Sequence, residues 1–462
     1  MDISDILYIK FSVPVVPIKD GEQARGRPTF PGMQARLYGY TSKSQTYFLL
    51  YRLQSLRKMP LNIFPAGRQN HPFYEVKPMA IHFSEEELAQ RRQKTIEKMI
   101  KRNLDGMLIF RQESMFYLTG YDTFGYVFFQ CLYLGSDGTM TLLTRSADLR
   151  QAKHTSIIDD VRVWVDGPDA TPELELRKIL DEHGGKDKTF GVELEAYGLT
   201  ARNGRRLYAA LDCFCRLEDA SDLVSQLRVI KSPAELGYVR KAAELADNAL
   251  REANELCVPG AFEGDILAAM QGAVFKGGGD YPGNEFIIGS GQDALLCRYF
   301  TGRRNLDAED QITLEWAGAY RHYHAAMMRT IVIGTPSVRQ IEMHKVATEA
   351  MAACMETLKP GAAVGDVFDA YARVADEAGM QEHRLNATGY SLGTTFAPNW
   401  MDWPMFYHGN PVEVQENMVF FLHMILMDSD SNTAMCPGQT VVVTKDGCEN
   451  LSKMPLDLIA NG

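Results

Sequence analysis

The sequence predicts an α/β domain followed by an α+β domain. The chain has 462 residues, which exceeds one ordinary hydrophobic core and fits two domains. Strand and helix patterns alternate between about residues 80 and 220, as they do in α/β domains. From residue 232 onward two long helices, strands, two further helices and a strand-rich end follow in that order. That order is typical of an α+β domain.

The first domain is predicted to begin with a helix that starts at Ser84. Ser84-Glu85-Glu86-Glu87 has the capping-box pattern, in which the serine covers an orphan backbone N–H and the glutamate three residues later reaches back. This helix is expected to end near Arg102. The elements predicted after it are strands at Gly106–Phe110, Gly125–Leu134 and Thr139–Leu143, a helix near 172–183, a strand at Thr189–Val192 and a helix near 200–212.

The second domain is predicted to begin at Ser232, because serine followed by proline favours the N-cap and first turn of a helix. The elements expected from there are helices ending near Val258-Pro259-Gly260 and Gly277-Gly278-Gly279, strands at Glu285–Ile288, Gln311–Trp316 and Met328–Ile333, helices near 338–358 and 364–379, and a strand-rich segment at 417–444. The patterns thus divide the chain into residues 1–78, 79–225 and 226–462.

Residues 1–78 differ in charge and pattern from the rest of the chain. They hold 11 Lys and Arg against 5 Asp and Glu, whereas the whole chain carries a net charge of −11. Neither helical nor strand periodicity is clear there. We expect a poorly ordered or non-native extension, with Met79 as the alternative start of the native protein.

Composition excludes several classes of protein. A net charge of −11 argues against a nucleic-acid-binding protein, which usually presents a basic face. No apolar run reaches the roughly 18 residues of a membrane span, and the acidic N-terminus does not resemble a signal peptide. The eight cysteines include no C-x-x-C pair, which favours free thiols in a reducing compartment. We therefore expect a cytoplasmic protein that acts on a small molecule, without nucleic-acid or membrane partners.

Four segments, in order along the chain, resemble the creatinase, prolidase and aminopeptidase P family. They are Leu227–Leu236, which opens the catalytic domain in that family, Ile312–Thr330, its central hairpin, Thr388–Gly393, its Gly-rich turn, and Thr440–Ser452, its last hairpin. The resemblance covers about residues 84–460. It implies a creatinase-type α/β N-terminal domain, a pita-bread catalytic domain and a homodimer.

The resemblance also concerns the metal ligands. Peptidases of this family bind two divalent metals with two Asp, one His and two Glu, because two cations sharing a water need a carboxylate-rich cage. The residues at the matching positions are Glu315, Ala326, Tyr390, His423 and Gly438. Ala326 and Gly438 have no donor atom, so we expect no bound metal pair and no other cofactor. A single zinc on His322, His324 and His423 is the weaker alternative.

Loss of the metals resembles the creatinase and ectoine-hydrolase branch, whose members hydrolyse small C–N bonds without metal. Thr388-Gly389-Tyr390 resembles that branch where the peptidases have a histidine, and so do Gly279–Pro282 and Thr119–Asp122. The pattern departs at Arg298, where the family often has a proton-carrying histidine.

Four residues are candidates for catalysis. Glu315 lies in an apolar strand, where an unpaired carboxylate is costly to bury; it is interpreted as a nucleophile or general base, or alternatively as a buried partner of Arg329 or Arg321. His324 and His423 are candidate proton carriers or structural histidines. Tyr390 is interpreted as orienting the substrate, or as a core aromatic.

Four residues are candidates for substrate binding. Arg298 is expected to bind a carboxylate, or else to form a surface ion pair. His322 is a candidate ligand or a surface histidine. Trp400, with Trp403, Phe406 and Tyr407, forms either a wall for a cationic ring or plain packing. By analogy with creatinase-like dimers, Tyr121 and Phe124 are expected to reach the partner subunit's site.

The function predicted from these residues is hydrolysis of a non-peptide C–N bond in an ectoine-like ring, a creatine-like compound or an amidine. Glu315 would attack directly or deprotonate water, and a histidine would pass the proton to the leaving nitrogen. The alternatives are a metal-dependent Xaa-Pro peptidase, a metal-dependent lyase acting on a sulfonium compound, and a binding protein that has lost catalysis.

Overall fold

The structure is a computed structural model that describes residues 81–298 and 302–462. The expected extension at 1–78 lies outside the described residues. The first domain contains, in chain order, α1 Glu85–Lys101, β1 Gly106–Ile109, α2 Gln112–Thr119, β2 Cys131–Gly135, β3 Met140–Arg145, α3 Leu149–Thr155, β4 Asp160–Trp164, α4 Pro172–Glu182, β5 Thr189–Val192, α5 Ala201–Leu211, β6 Arg216–Asp219 and α6 Ser221–Arg228. Its six strands form one sheet in the order β4-β3-β2-β1-β5-β6. Strands β1, β5 and β6 are parallel.

The second domain is built on a nine-stranded sheet. Its elements are α7 Pro233–Leu256, α8 Glu263–Lys276, β7 Ile287–Ser290, β8 Asp310–Tyr320, β9 Tyr323–Ile333, α9 Val338–Thr357, α10 Val364–Glu377, β10 Gly389–Ser391, β11 Asp402–Met405, β12 Val419–His423, β13 Leu426–Asp428, β14 Thr433–Met435, β15 Gly438–Val443, β16 Cys448–Asn450 and β17 Ile459–Asn461. The main path of the sheet is β11-β10-β12-β15-β9-β8-β7, with β16 on β15 and β17 on β9.

The helices cover one face of this sheet, because alternate residues of a strand point to opposite sides. On β8, Trp316 donates from Nε1 to the carbonyl of Ala246 in α7 over 3.0 Å. On β12, Phe420 and Leu422 pack into the cluster that α9 and α10 form. The intervening residues of both strands therefore face away from the helices, into the concave side of the sheet.

Both predicted helix starts are present, and one differs in detail. Ser232 forms a complete capping box with Glu235. Ser84 accepts from the Glu87 N–H, but the Glu87 carboxylate turns to Arg91 at 2.6 Å and to the Ser232 hydroxyl at 2.6 Å. The Glu87 carboxylate therefore bonds Arg91 and the Ser232 hydroxyl of the second domain, instead of the backbone N–H of the cap residue Ser84. The start of α1 is thereby tied to the start of α7.

Several short elements differ from the sequence prediction. The expected strand Gly125–Leu134 begins only at Cys131, since residues 125–127 form a 3-10 turn. The expected strand Glu285–Ile288 is shifted to Ile287–Ser290. The sequence did not predict α3, β4 or β6, whose segments are short and show no clear apolar period. No helix in the described part of the chain is both long and apolar enough to span a bilayer.

Candidate active site

One row of cross-strand partners crosses the concave face of the sheet. Glu315 of β8 pairs with Met328 of β9, Met328 pairs with Gly438 of β15, and Gly438 pairs with His423 of β12. Directly paired residues project to the same side of a sheet. Glu315 and His423 therefore point to the same concave side, at opposite ends of the row.

Tyr390 lies on β10, the strand next to His423, and contacts Glu315 at the other end of the row. It pairs with Phe421, two residues before His423, and so shares their face. Its hydroxyl donates to Oε1 of Glu315 over 3.2 Å. Four strand spacings separate β10 from β8, which in a flat sheet is roughly 19 Å. The sheet must therefore curl strongly, and its concave side forms the candidate site.

Gly389 allows Tyr390 to occupy this position. Its φ of +145° lies in a region that residues with a side chain rarely adopt, and a Cβ there would collide with the carbonyl oxygen of Phe421. The glycine lets β10 approach β12 closely enough for the tyrosine to reach across the concave side. The backbone conformation therefore requires a glycine in this Thr-Gly-Tyr segment.

The environment of Glu315 makes its carboxyl unusual. Burial raises its pKa to about 7, against the lowering effects of the Tyr390 hydrogen bond and the charge of Arg298. The structure does not pair it with either arginine suggested from the sequence. Arg329 donates instead to the carbonyls of Met328 and Gly438, and Arg321 donates to the Tyr238 hydroxyl. Among the described residues Glu315 has no ion-pair partner, and a buried carboxyl with a perturbed pKa is typical of a functional site.

Two consecutive hydrogen bonds link Trp400 to Tyr390 and Tyr390 to Glu315. The indole Nε1 of Trp400 donates to the Tyr390 hydroxyl oxygen over 2.9 Å. Because indole can only donate, the tyrosine oxygen accepts there and directs its own proton to Glu315. Burial and the Glu315 charge hold the pKa of Tyr390 well above its usual value. The phenol is therefore a neutral donor across the pH range of ordinary enzymes.

His423 lies beside this chain as a neutral imidazole. Its ring centroid is 5.8 Å from that of Tyr390 and 5.4 Å from that of Phe421. Burial lowers its pKa to about 4. Its Nδ1 is buried and has no hydrogen-bond partner among the described residues. This nitrogen therefore has an unmet hydrogen-bonding capacity inside the site.

His324 is fully engaged in the protein, which argues against the proton-carrier role predicted for it. Its Nε2 accepts from the backbone N–H of Gly283 over 2.8 Å. Its Nδ1 must then carry the proton, which is directed to the Thr395 hydroxyl at 3.1 Å and the Gly393 carbonyl at 3.4 Å. Burial lowers its pKa to about 4. This histidine fixes the loop that precedes Trp400.

His322 lies at the tip of the β8–β9 hairpin and joins the two domains. Its Nε2 is 2.9 Å from Oδ2 of Asp122 in the first domain. Its ring stacks on Phe396 with centroids 4.2 Å apart, and its backbone N–H donates to Asp280 over 3.1 Å. Asp122 and Asp280 both belong to segments that resemble the ectoine-hydrolase branch. These segments meet at His322, which lies in the hairpin turn seven residues after Glu315.

Arg298 is exposed, and its positive charge acts on two groups of the candidate site. It lowers the pKa of both Glu315 and His423, although burial is the larger influence on each. The sequence prediction missed two thiols close enough to Glu315 to be affected by its charge. The charge of Glu315 adds to burial in raising the pKa of Cys297 and of Cys436. The adjacency of Cys297 to Arg298 was the only signal in the sequence.

The remaining candidate residues separate in space. Trp400 is buried at Tyr390, whereas Trp403 and Tyr407 are partly exposed and Phe406 packs on Phe420. The predicted aromatic cluster therefore contributes one residue to the site. Tyr121 is completely buried with its hydroxyl 3.4 Å from Gln130, which does not favour the predicted contact with a partner subunit. Its neighbour Phe124 is 72% exposed.

The donor atoms at the site do not fit the family's metal pair. Ala326 pairs with Ala317 on the concave face, where neither has a donor atom. At Gly438 even a Cβ would lie 2.8 Å from the Phe421 ring and 3.0 Å from the Met328 Cβ. No group of three or more His, Cys, Asp or Glu side chains that could hold a metal ion occurs within residues 81–298 and 302–462.

The fold and the site define an α/β domain followed by a pita-bread catalytic domain. Residues 91–230 match the model of the creatinase/prolidase N-terminal domain, and residues 237–445 match that of metallopeptidase family M24. The chain therefore belongs to the creatinase, prolidase and aminopeptidase P family of hydrolases.

Three known proteins illustrate the relationship. The chain is 27% identical to the ectoine hydrolase of Halomonas elongata over 82% of this chain and 98% of that protein. It is 24% identical to a Xaa-Pro dipeptidase of Pyrococcus horikoshii over 79% and 97% of the respective chains. The crystal structure of an X-Pro aminopeptidase from Thermotoga maritima superposes with a TM-score of 0.70 at 21% identity, covering 80% of this chain and 99% of that one.

Proposed function

We propose that the protein hydrolyses a non-peptide C–N bond in a small, nitrogen-rich compound, without a metal pair. The observation that carries this proposal is the buried hydrogen bond from Tyr390 to Glu315, at a site where Ala326 and Gly438 offer no donor atoms for a metal pair. A carboxyl whose pKa is raised to about 7 exchanges protons efficiently near neutral pH. Similarity to the Halomonas elongata ectoine hydrolase supports an ectoine-like ring, a creatine-like compound or another amidine as the substrate class.

Glu315 serves both proton transfers in the proposed reaction. As a carboxylate it takes a proton from water while the water oxygen adds to the amidine carbon. As a carboxylic acid it returns that proton to the leaving nitrogen, and the C–N bond breaks to give an amide and an amine. A group with a pKa near the working pH suits both halves of this cycle. This replaces the expectation that a histidine carries the proton, because His423 is neutral with a pKa of about 4.

The other residues hold the reactants. The Tyr390 hydroxyl, directed by Trp400, keeps the Glu315 carboxylate oriented. The free Nδ1 of His423 is proposed to orient the water or a substrate N–H. Arg298 is proposed to hold a substrate carboxylate, since a guanidinium binds carboxylates through paired hydrogen bonds. The homodimer and the cytoplasmic location expected from the sequence remain part of this proposal.

The test is a substrate screen after treatment with a chelator. The chelated protein should turn over one of ectoine, creatine, hydantoin-like rings or related amidines, and elemental analysis should find less than one divalent metal per chain. Turnover of X-Pro dipeptides that depends on added metal would overturn the proposal and favour the dipeptidase alternative. A ligand that binds equally to wild type and Glu315→Gln, with no turnover by either, would favour a binding protein.

A further inference from the structure

The segment 393–400 lies between the first domain and the candidate active site. It forms no helix and adds no strand to the sheet, and it ends at Trp400, whose indole donates to the Tyr390 hydroxyl. A segment without regular secondary structure is placed by the bonds that its neighbours make to its backbone. The position of the Trp400 indole therefore depends on what holds residues 393–400.

The catalytic domain holds both ends of this segment. At its start, the backbone N–H of His324 donates to the carbonyl of Gly393 over 3.1 Å. At its end, the backbone N–H of Trp400 donates to Oδ1 of Asn284 over 3.3 Å. Neither bond reaches the middle of the segment, at residues 396–398.

The first domain holds the middle of the segment. The Tyr126 hydroxyl donates to the carbonyl of Ala397 over 2.7 Å, and Glu113 accepts from the backbone N–H of Phe396 over 3.3 Å. The Tyr126 ring also packs edge-on against the Phe396 ring, with centroids 6.0 Å apart. Tyr126 is only 7% exposed, so its bond to the Ala397 carbonyl is largely shielded from water, where a lost bond is costly to leave unmade.

Tyr126 is itself fixed within the first domain. It belongs to a 3-10 turn, in which the backbone N–H of Gly125 donates to the Thr123 hydroxyl over 2.8 Å, and that hydroxyl donates to Asp148 over 2.7 Å. At Gly198 a Cβ would collide with the Tyr126 carbonyl oxygen, so the loop after β5 packs directly on the turn. The Tyr126 hydroxyl is thus presented by a well-anchored part of the first domain.

We propose that Tyr126 is a positioning residue for the reaction, because it fixes the segment 393–400 and thereby the Trp400 indole that directs the Tyr390 hydroxyl to Glu315. The inference rests on the function proposed for Glu315. The Tyr126 hydroxyl bonds Ala397 rather than either group of the site, so it acts through the segment. Small displacements of such supporting groups slow a reaction whose partners must stay aligned.

Tyr126→Phe tests the proposal, since it removes one hydroxyl and keeps the ring. The first readout is hydrogen exchange of the Trp400 indole N–H, measured by NMR in the full chain. The chain has four tryptophans, and the Trp400 signal is the one that Trp400→Phe removes. We expect this exchange to become about fivefold faster, because a hydrogen bond that opposes local opening is lost. The Trp316 indole, which donates to Ala246 of α7, should exchange at an unchanged rate.

Tyr238→Phe is the matched control. It also removes a tyrosine hydroxyl that bonds a backbone carbonyl of the other domain, that of His82, but this bond does not involve the segment 393–400. The control should leave the Trp400 exchange unchanged. If Tyr126→Phe does not fold, Thr123→Val, which releases the turn that carries Tyr126, should speed the same exchange.

The second readout is turnover of the substrate that the screen identifies. Tyr126→Phe should lower kcat on the order of threefold with KM unchanged, and it should have no further effect in a Trp400→Phe background, because residues that act through one another are not additive. Unchanged exchange of the Trp400 indole, equal acceleration in Tyr238→Phe, an unchanged kcat, or additive effects on kcat overturns the proposal. Absence of turnover by the wild-type protein overturns the proposed hydrolysis instead, and the exchange readout then still decides whether Tyr126 fixes Trp400.

Discussion

The Tyr390 hydroxyl lies 3.2 Å from Oε1 of Glu315, although three strands separate the two residues in the sheet. This contact exists only because the sheet curls until its distant strands face each other. It joins the buried carboxyl of Glu315 to the neutral hydroxyl of Tyr390. The Trp400 indole donates a hydrogen bond to that hydroxyl.

Glu315→Gln should abolish turnover and leave substrate binding nearly intact. The amide keeps the shape and the hydrogen bond from Tyr390 but accepts no proton from water. We expect kcat to fall by at least about a hundredfold, the usual contribution of a general base. Steady-state kinetics and calorimetric titration of the true substrate measure the two effects. Full activity in this variant would contradict the assigned role.

The stability of the protein should depend on pH through Glu315. Because its folded-state pKa is raised to about 7, the unfolded chain ionises first, and the free energy of unfolding falls as the pH rises from about 4.5 to about 7. Glu315→Gln removes this cost. We expect the variant to be on the order of 2–3 kcal/mol more stable than wild type at pH 8, with a smaller difference at pH 4. Urea unfolding at the two pH values measures it. A difference that does not change with pH would contradict the shift.

Tyr390→Phe should shift the acid limb of the pH–rate profile to higher pH. The hydrogen bond from Tyr390 lowers the pKa of Glu315, so its removal raises that pKa by about one unit, the usual worth of a buried hydrogen bond. Trp400→Phe should shift the profile in the same direction by less. Trp164→Phe is the control, since it also removes one indole hydrogen bond, to the Phe129 carbonyl in the first domain. A shift in the control but not in Tyr390→Phe would exclude the proposed chain.

Gly438→Ala should destabilise the protein. The new Cβ would lie 2.8 Å from the Phe421 ring and 3.0 Å from the Met328 Cβ, so the site must shift to accept one methyl group. Such overpacking costs about 1–3 kcal/mol of unfolding free energy. Gly447→Ala, where the Cβ meets no atom within 4 Å, should be neutral. Equal stability of the two variants in urea would mean that the site has room for a larger side chain.

Much of the fold and the chemistry of the site followed from local sequence. Ser84 and Ser232 predicted their helices because an N-cap is read from adjacent residues. The family resemblance predicted the two domains, which the structure and the family models confirm. The absence of donor atoms at Ala326 and Gly438 could also be known in advance, because it depends on residue identity alone. The elements α3, β4 and β6 could not be predicted, because β4 and β6 are mostly not buried and α3 spans less than two helical turns, so none shows an apolar period.

Which side chains meet was decided only by the tertiary structure. His324 and His423 look alike in sequence, but the first bonds Gly283 through Nε2 and Thr395 through Nδ1, whereas the second has an Nδ1 without a partner among the described residues. Trp400 was interpreted from the sequence either as a pocket wall or as packing, and the structure shows its indole donating to the Tyr390 hydroxyl. These outcomes depend on strand curvature and on partners 10 to 75 residues away, which local patterns do not encode. The sequence thus determined which groups are available, and the curled sheet determined which of them act together.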